Sequence, residues 1–121
     1  MIGYFGTNNL ERSTSFYDEV LGAVGGKRVA EADRYVAWSI SSDLPEFILT
    51  KTYDGEPANP GNGNMLALLL DDIEKVRLVY SKALELGAHD EGQPAERAAG
   101  GFRAYFRDLD GNKFGAFYFP E

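Results

Sequence analysis

The chain has 121 residues, with 12 Lys and Arg against 19 Asp and Glu, for a net charge of −7. That length suits one compact domain, large enough to bury roughly two-thirds of its unfolded surface without staples. The absence of cysteine excludes disulfides, thiolate metal sites and a Cys nucleophile.

The first apolar segment, Met1–Gly6, reads as a strand. Asn8 followed three residues on by Glu11 has the spacing of a capping box, in which the cap oxygen accepts a first-turn N–H and the Glu returns the bond. A helix follows, with Leu10, Phe16, Tyr17, Val20 and Leu21 on one stripe, and Gly22 supplies the left-handed residue that ends it. Lys27–Glu31 and Arg34–Ser41 are strands around a turn at Ala32-Asp33, and Glu46–Thr50 is another. Lys51–Asn64 holds three glycines, two prolines and three asparagines, the composition of a flexible linker. Met65–Leu70 is again a strand. Asp71 and Glu74 repeat the capping spacing. The second helix carries Ile73, Val76, Val79, Tyr80, Ala83 and Leu84, with Gly87 at its end. His89–Gln93 holds a weakly marked strand, and 94–100 reads as an irregular loop. Gly101–Arg107 and Lys113–Phe119 form a hairpin across Leu109-Asp110-Gly111-Asn112, where Asp-Gly favours the turn.

The chain repeats itself. Residues 9–21 match residues 72–84 at an offset of 63: Asn9 with Asp72, Leu10 with Ile73, Glu11 with Glu74, Arg12 with Lys75, Tyr17 with Tyr80, Leu21 with Leu84. Farther on, Tyr35–Trp38 meets Phe102–Tyr105 and Phe47 meets Phe114 at an offset of 67. Two copies of one supersecondary unit are implied. The expected fold class is α+β: a single domain over 1–121, with one βαβββ module at 1–50, a linker at 51–64 and a second module at 65–121.

Three stretches carry a family resemblance: Asn9-Leu10-Glu11-Arg12-Ser13, Phe16-Tyr17-Asp18-Glu19-Val20-Leu21-Gly22, and Tyr105-Phe106-Arg107-Asp108-Leu109-Asp110-Gly111-Asn112. With the paired βαβββ pattern, the chain resembles the vicinal oxygen chelate superfamily of glyoxalases, bleomycin-resistance proteins and extradiol dioxygenases. Leu109 stands where the family usually has Pro. The resemblance implies curled mixed sheets around a cavity. In metal-using members, four His, Gln or Glu side chains project into that cavity. The family pattern places those positions at Ile2, Ile48, Met65 and Gly115, and the two offsets of the repeat link the same pairs, 2 with 65 and 48 with 115. None is a ligand for a hard or borderline divalent cation; the Met65 thioether suits only soft ions. No cofactor is expected, and metal-dependent glyoxalase or dioxygenase chemistry is disfavoured.

Strand alternation from those positions turns Ile2, Tyr4, Ile48, Thr50, Met65, Ala67, Leu69, Gly115, Phe117 and Phe119 to the cavity. It turns Phe5, Phe47, Leu49, Leu66, Leu68, Leu70, Phe114 and Ala116 to the helices. Arg103, Tyr105 and Arg107 are expected to point inward, with Val36 and Trp38 at the equivalent places of module one. The expected ligand-binding residues are Tyr4, Trp38, Ile48, Met65, Arg103, Tyr105 and Phe117: an apolar, aromatic wall with Tyr and Arg as polar handles. Trp38 and Tyr105 read equally well as core aromatics. Arg103 is the candidate partner for an anionic group on a ligand. His89, the only histidine, reads as an exposed loop residue.

The leading expectation is a metal-free protein that binds a small, partly aromatic organic molecule. A metal-independent isomerase using Tyr or Glu46 ranks next, and a glyoxalase-like lyase last. The resemblance also implies a homodimer. An acidic chain argues against nucleic acid, since Arg97, Arg103 and Arg107 make only a weak patch. The apolar runs are too short to span a membrane and no leader opens the chain, so a cytoplasmic protein is expected.

Overall fold

Period-two alternation along the apolar segments builds two sheets of four strands each. The computed structural model describes residues 1–120; Glu121, the last residue of the expected second module, lies outside them. Module one contains β1 (Gly3–Gly6), α1 (Leu10–Gly22), β2 (Lys27–Ala32), β3 (Tyr35–Ser39) and β4 (Phe47–Thr50). Module two contains β5 (Leu66–Leu69), α2 (Ile73–Glu85), β6 (His89–Glu96), β7 (Phe102–Arg107) and β8 (Lys113–Tyr118). The strand orders are β1-β4-β3-β2 and β5-β8-β7-β6. In each sheet the first strand runs parallel to the last and the other pairs are antiparallel. The α+β class and the duplicated βαβββ topology are therefore as expected. The two sheets do not join into one closed barrel.

One apolar cluster serves both modules. Val36, Trp38, Phe47 and Leu49 of the first sheet, Phe102, Phe106 and Phe114 of the second, and the buried faces of both helices all belong to it. Tyr17 lies at its centre, fully buried. Its ring centroid is 4.7 Å from that of Phe47 and 6.0 Å from that of Phe114, so one side chain touches both modules. Each such aromatic contact adds about 0.5–1.5 kcal/mol beyond its burial. At the sheet edges, β1 comes so close to β5 that a Cβ on Gly3 would stand 2.6 Å from Leu66 Cδ2.

The turn between β7 and β8 fastens the modules together. Gly111 takes φ +86°, which lets the chain reverse there. Asp108 Oδ1 accepts from the backbone N–H groups of Asp110 and Asn112, both at 2.9 Å. Its Oδ2 accepts from Tyr17 Oη at 2.5 Å and from Asn112 Nδ2 at 3.1 Å. Asp110 reaches the start of α1. Its carboxylate accepts from Thr7 Oγ1 at 2.6 Å, Ser13 Oγ at 2.8 Å, Arg12 Nη2 at 2.9 Å and the Asn8 N–H at 3.0 Å. Asn112 Nδ2 also donates to the Gly6 carbonyl at 3.0 Å. A carboxylate at the positive end of α1 is favoured by the helix dipole as well as by its hydrogen bonds.

Local expectations shift by small steps. The N-caps are Asn9 and Asp72, whose side chains accept from Arg12 N–H and Lys75 N–H. The capping boxes expected from Asn8 and Asp71 therefore do not form. Asn8 instead fixes the linker, donating to Ala58 O at 3.0 Å and accepting from Ala58 N–H at 2.7 Å. Gly25 at φ +87°, rather than Gly22, takes the left-handed conformation after α1. β6 runs on through Pro94 to Glu96, with its register interrupted twice. An edge strand tolerates proline because that N–H need not enter a ladder. His89 is thus the first residue of an edge strand, not a loop residue.

Burial pushes the Asp110 carboxyl up, but the donors from Asn8, Thr7 and Ser13 and the charge of Arg12 outweigh it and hold the carboxyl below its usual range. Its stabilisation is therefore present above the ordinary carboxylate pKa and lost as pH falls through the folded value. Asp108 acts in the opposite sense, because burial pushes it up against its hydrogen bonds from Tyr17 and Asn112. Asp110→Asn is expected to cost about 1–3 kcal/mol near pH 7. Urea titrations should show a steady gap between wild type and variant above about pH 5, which closes as pH falls through the ordinary carboxylate range of about 4 and on toward the lower folded value. A gap that stays constant contradicts the ionic role. Tyr17→Phe, which leaves Asp108 buried without its phenol donor, should cost about 1–3 kcal/mol in the same assay.

Candidate functional site

The faces of the two sheets turned away from the helices are the candidate surface. On the second sheet, strand register aligns Ala67, Gly115, Tyr105 and Gly92 in one row and Leu69, Phe117, Arg103 and Ala95 in the next. On the first, Tyr4, Ile48 and Ala37 share a row. Phe5, Phe47, Leu49, Phe102, Phe106, Phe114 and Ala116 lie in the shared core on the other side, as alternation requires.

Arg103, Tyr105 and Phe117 come together. The Tyr105 and Phe117 rings meet edge to face at 5.5 Å, and the Arg103 guanidinium lies over Phe117 at 4.4 Å and over Phe119 at 5.3 Å. Leu69, next to Phe117 in the row, is 68% exposed. Tyr4 and Ile48 form a separate group on the first sheet, where Tyr4 is 62% exposed and Ile48 is buried. Met65, just before β5, lines a cleft of about 480 Å³ with Tyr4 and the linker residues Pro60 and Asn64. A second cleft of about 500 Å³ lies between Glu46, Ile40, Leu66, Leu68 and Phe114. Leu66 borders both clefts.

Val36 and Trp38 are not on the open face. Trp38 is 1% exposed, its Nε1 donates to Asp18 at 3.0 Å, and its ring stacks on Phe47 at 5.7 Å. Strand register explains the correction: Val36 lies opposite Leu49 and Trp38 opposite Phe47, both core residues. The indole edge reaches only the floor of the second cleft.

Glu46 closes the loop between β3 and β4. Its Oε1 accepts from Ser39 Oγ at 2.5 Å, the Ser41 N–H and Oγ at 3.0 Å, and the Ile40 N–H at 3.1 Å. Burial pushes this carboxyl up, but those donors bring it below its ordinary value. A carboxyl working as acid and base near neutral pH is tuned the other way.

The donor chemistry for a metal does not fit. The four positions that the family resemblance marks hold Ile2, Ile48, Met65 and Gly115. At position 115 a Cβ would lie 2.6 Å from Phe117 Cε1, so the Phe117 ring fills the space a ligating side chain needs. Among the described residues, no three His, Cys, Asp or Glu side chains come close enough to share an ion.

Sequence reasoning missed two residues beside Tyr105. Lys113 Nζ lies 5.2 Å from the Tyr105 ring centroid and Arg97 Cζ 5.7 Å from it. Alternation could have found Lys113, which shares a face with Gly115 and Phe117. Arg97 follows an irregular edge strand, and no sequence period marks it.

The duplicated βαβββ fold with an open, aromatic sheet face defines a glyoxalase-like class of protein. The family model for the Glyoxalase/Bleomycin resistance protein/Dioxygenase superfamily matches residues 3–115, and the chain belongs to that superfamily. A glyoxalase/bleomycin resistance protein from Albidiferax ferrireducens T118 superposes with a TM-score of 0.86 at 30% identity, over 98% of this chain and 96% of that one. A hypothetical protein from S. aureus gives 0.75 at 24% identity, over 98% and 91%. A fosfomycin resistance protein from Mesorhizobium loti gives 0.69 at 20% identity, over 99% and 91%, a likeness of fold. No curated protein sequence matches the chain. No helix among the described residues is long and apolar enough to cross a membrane.

Replacing Gly115 by Glu should destabilise the protein by about 1–3 kcal/mol through overpacking against Phe117. In a Phe117→Ala background, itself destabilised by loss of a buried ring, the same replacement should cost less. Equal costs of Gly115→Glu in the two backgrounds, read from urea midpoints, contradict the steric account.

Proposed function

We propose that this protein binds a small, partly aromatic organic molecule on the open face of its second sheet and does so without a metal ion. The observation that carries this reading is that the four marked positions hold Ile2, Ile48, Met65 and Gly115, none of them a metal donor, and that the last of them adjoins the cluster of Tyr105, Phe117 and Phe119. The exposed Phe119 ring and the partly exposed Tyr105 ring offer faces or edges against which another ring packs. The fixed loop role of Glu46 offers nothing to the isomerase reading.

The working form in this proposal is a cytoplasmic homodimer. Tyr4, Met65, Leu69 and Phe119 expose large apolar surfaces on or beside the open faces. Cover by a second copy would remove that surface from water and turn an open face into a cleft.

A thermal-shift screen of aromatic natural products, antibiotics and thiol adducts, with EDTA or with added divalent ions, tests the binding reading. A ligand that binds only the folded state raises the midpoint by mass action. The expected result is a ligand-dependent rise that is the same with EDTA and with Mn²⁺, Ni²⁺ or Zn²⁺. A rise seen only with metal overturns it. Light scattering at micromolar concentration should give twice the chain mass.

A further inference from the structure

Three cations converge on Tyr105 in a chain whose overall charge is −7. Lys113 and Arg97 stand near its ring, and Arg103 Nη1 lies 3.3 Å from its hydroxyl. Carboxylates hold the other cations of this module: Lys75 with Asp71, Arg77 with Glu74, Lys82 with Glu85, and Arg107 with Glu91 at 2.5 Å. Among the described residues, none of the three around Tyr105 has an ion-pair partner. Glu91 is taken by Arg107, and its carboxyl is held below its ordinary value by that guanidinium first, with Lys113 and His89 adding to it.

Arg103 is positioned in advance. Its Nε donates to the Gly100 carbonyl at 2.8 Å, and the guanidinium plane lies over two phenylalanine rings. Its terminal nitrogens make only long contacts, 3.3 Å to Tyr105 Oη and 3.4 Å to the Ala99 carbonyl. They keep donors free for a two-point contact, the geometry in which guanidinium receives an oxyanion. Arg97 adds a buried Nε with no hydrogen-bond partner.

We infer that the ligand of this face is an organic anion, its carboxylate, sulfonate or phosphonate group received by Arg103 and Lys113, which flank Tyr105, and its apolar body lying along the exposed Leu69 and Phe119. This rests on the binding proposed above for the same face and specifies its chemistry. Arg103, Phe117 and Leu69 share one row, Tyr105 lies in the next, and Lys113 lies in the row beyond, so the two cations approach Tyr105 from opposite ends of the strand and the site spans three rows of one sheet face.

The test is calorimetric titration of the full chain with three probes: 2-naphthoate, phenylphosphonate and the uncharged 2-naphthalenemethanol. The two anions should bind at least tenfold more tightly than the alcohol at low salt. That preference should shrink as ionic strength rises. Arg103→Gln and Lys113→Gln should each reduce it at least fivefold, and Arg103→Lys should retain part of it. Lys27→Gln, with the same change in net charge on the edge strand of the other sheet, should leave it unchanged. Equal affinity for the alcohol and the anions overturns the inference and leaves the binding proposal standing. Anion binding with no aromatic contribution, phenylphosphonate matching inorganic phosphate, supports the cationic receptor and overturns the aromatic pocket. A loss as large in Lys27→Gln as in Lys113→Gln overturns the assignment to these residues. Failure of all three probes to bind overturns both.

Discussion

Two carboxylates in one five-residue turn hold the modules in register. Asp108 reaches into the shared core to Tyr17, and Asp110 receives the first turn of α1. The positions of both sheets depend on that fastening, because each sheet packs against a helix that shares the core. A buried acid left without its donors costs several kcal/mol, so this junction admits few alternative geometries. The apolar contacts around Tyr17 supply cohesion without direction, and the hydrogen bonds of the turn supply the direction. Module one has no counterpart. At the equivalent connection Glu46 turns inward on its own loop, so the twofold pattern of the chain breaks where the modules meet.

This asymmetry leaves two open faces of different character. The first sheet offers Tyr4 over a buried Ile48. The second offers a ring cluster bordered by cations. Phe117 shapes the second face. Its ring folds over Gly115, fills the place of a metal-ligating side chain and presents an edge to Tyr105. Phe117 itself is buried, and the exposed apolar surface beside it belongs to Leu69 and Phe119.

Much of the fold was legible because it depends on short-range periodicity. The repeat of Asn9–Leu21 in Asp72–Leu84 marked both helices, and alternation placed Tyr4, Phe5, Leu66 and Phe117 on their correct faces. Trp38 was turned the wrong way because a large aromatic suits either side of a strand, and only its register opposite Phe47 settles which. The cap positions slipped by one residue because Asn8 and Asn9, and Asp71 and Asp72, are chemically interchangeable as caps. The sequence marks Leu109–Asn112 only as a local turn. Its larger role, joining residues about a hundred positions apart, leaves no period in the sequence. The cations around Tyr105 were only partly legible for the same reason.

The most direct test of metal-free binding on the second sheet is an amide NMR titration of metal-stripped protein with 2-naphthoate. The account predicts saturable shifts at Leu66–Leu69, Phe102–Arg107 and Lys113–Tyr118, of the same size with EDTA present and after diamagnetic Zn²⁺ is added. Shifts that appear only after Zn²⁺ is added, or that centre on the first sheet, contradict it.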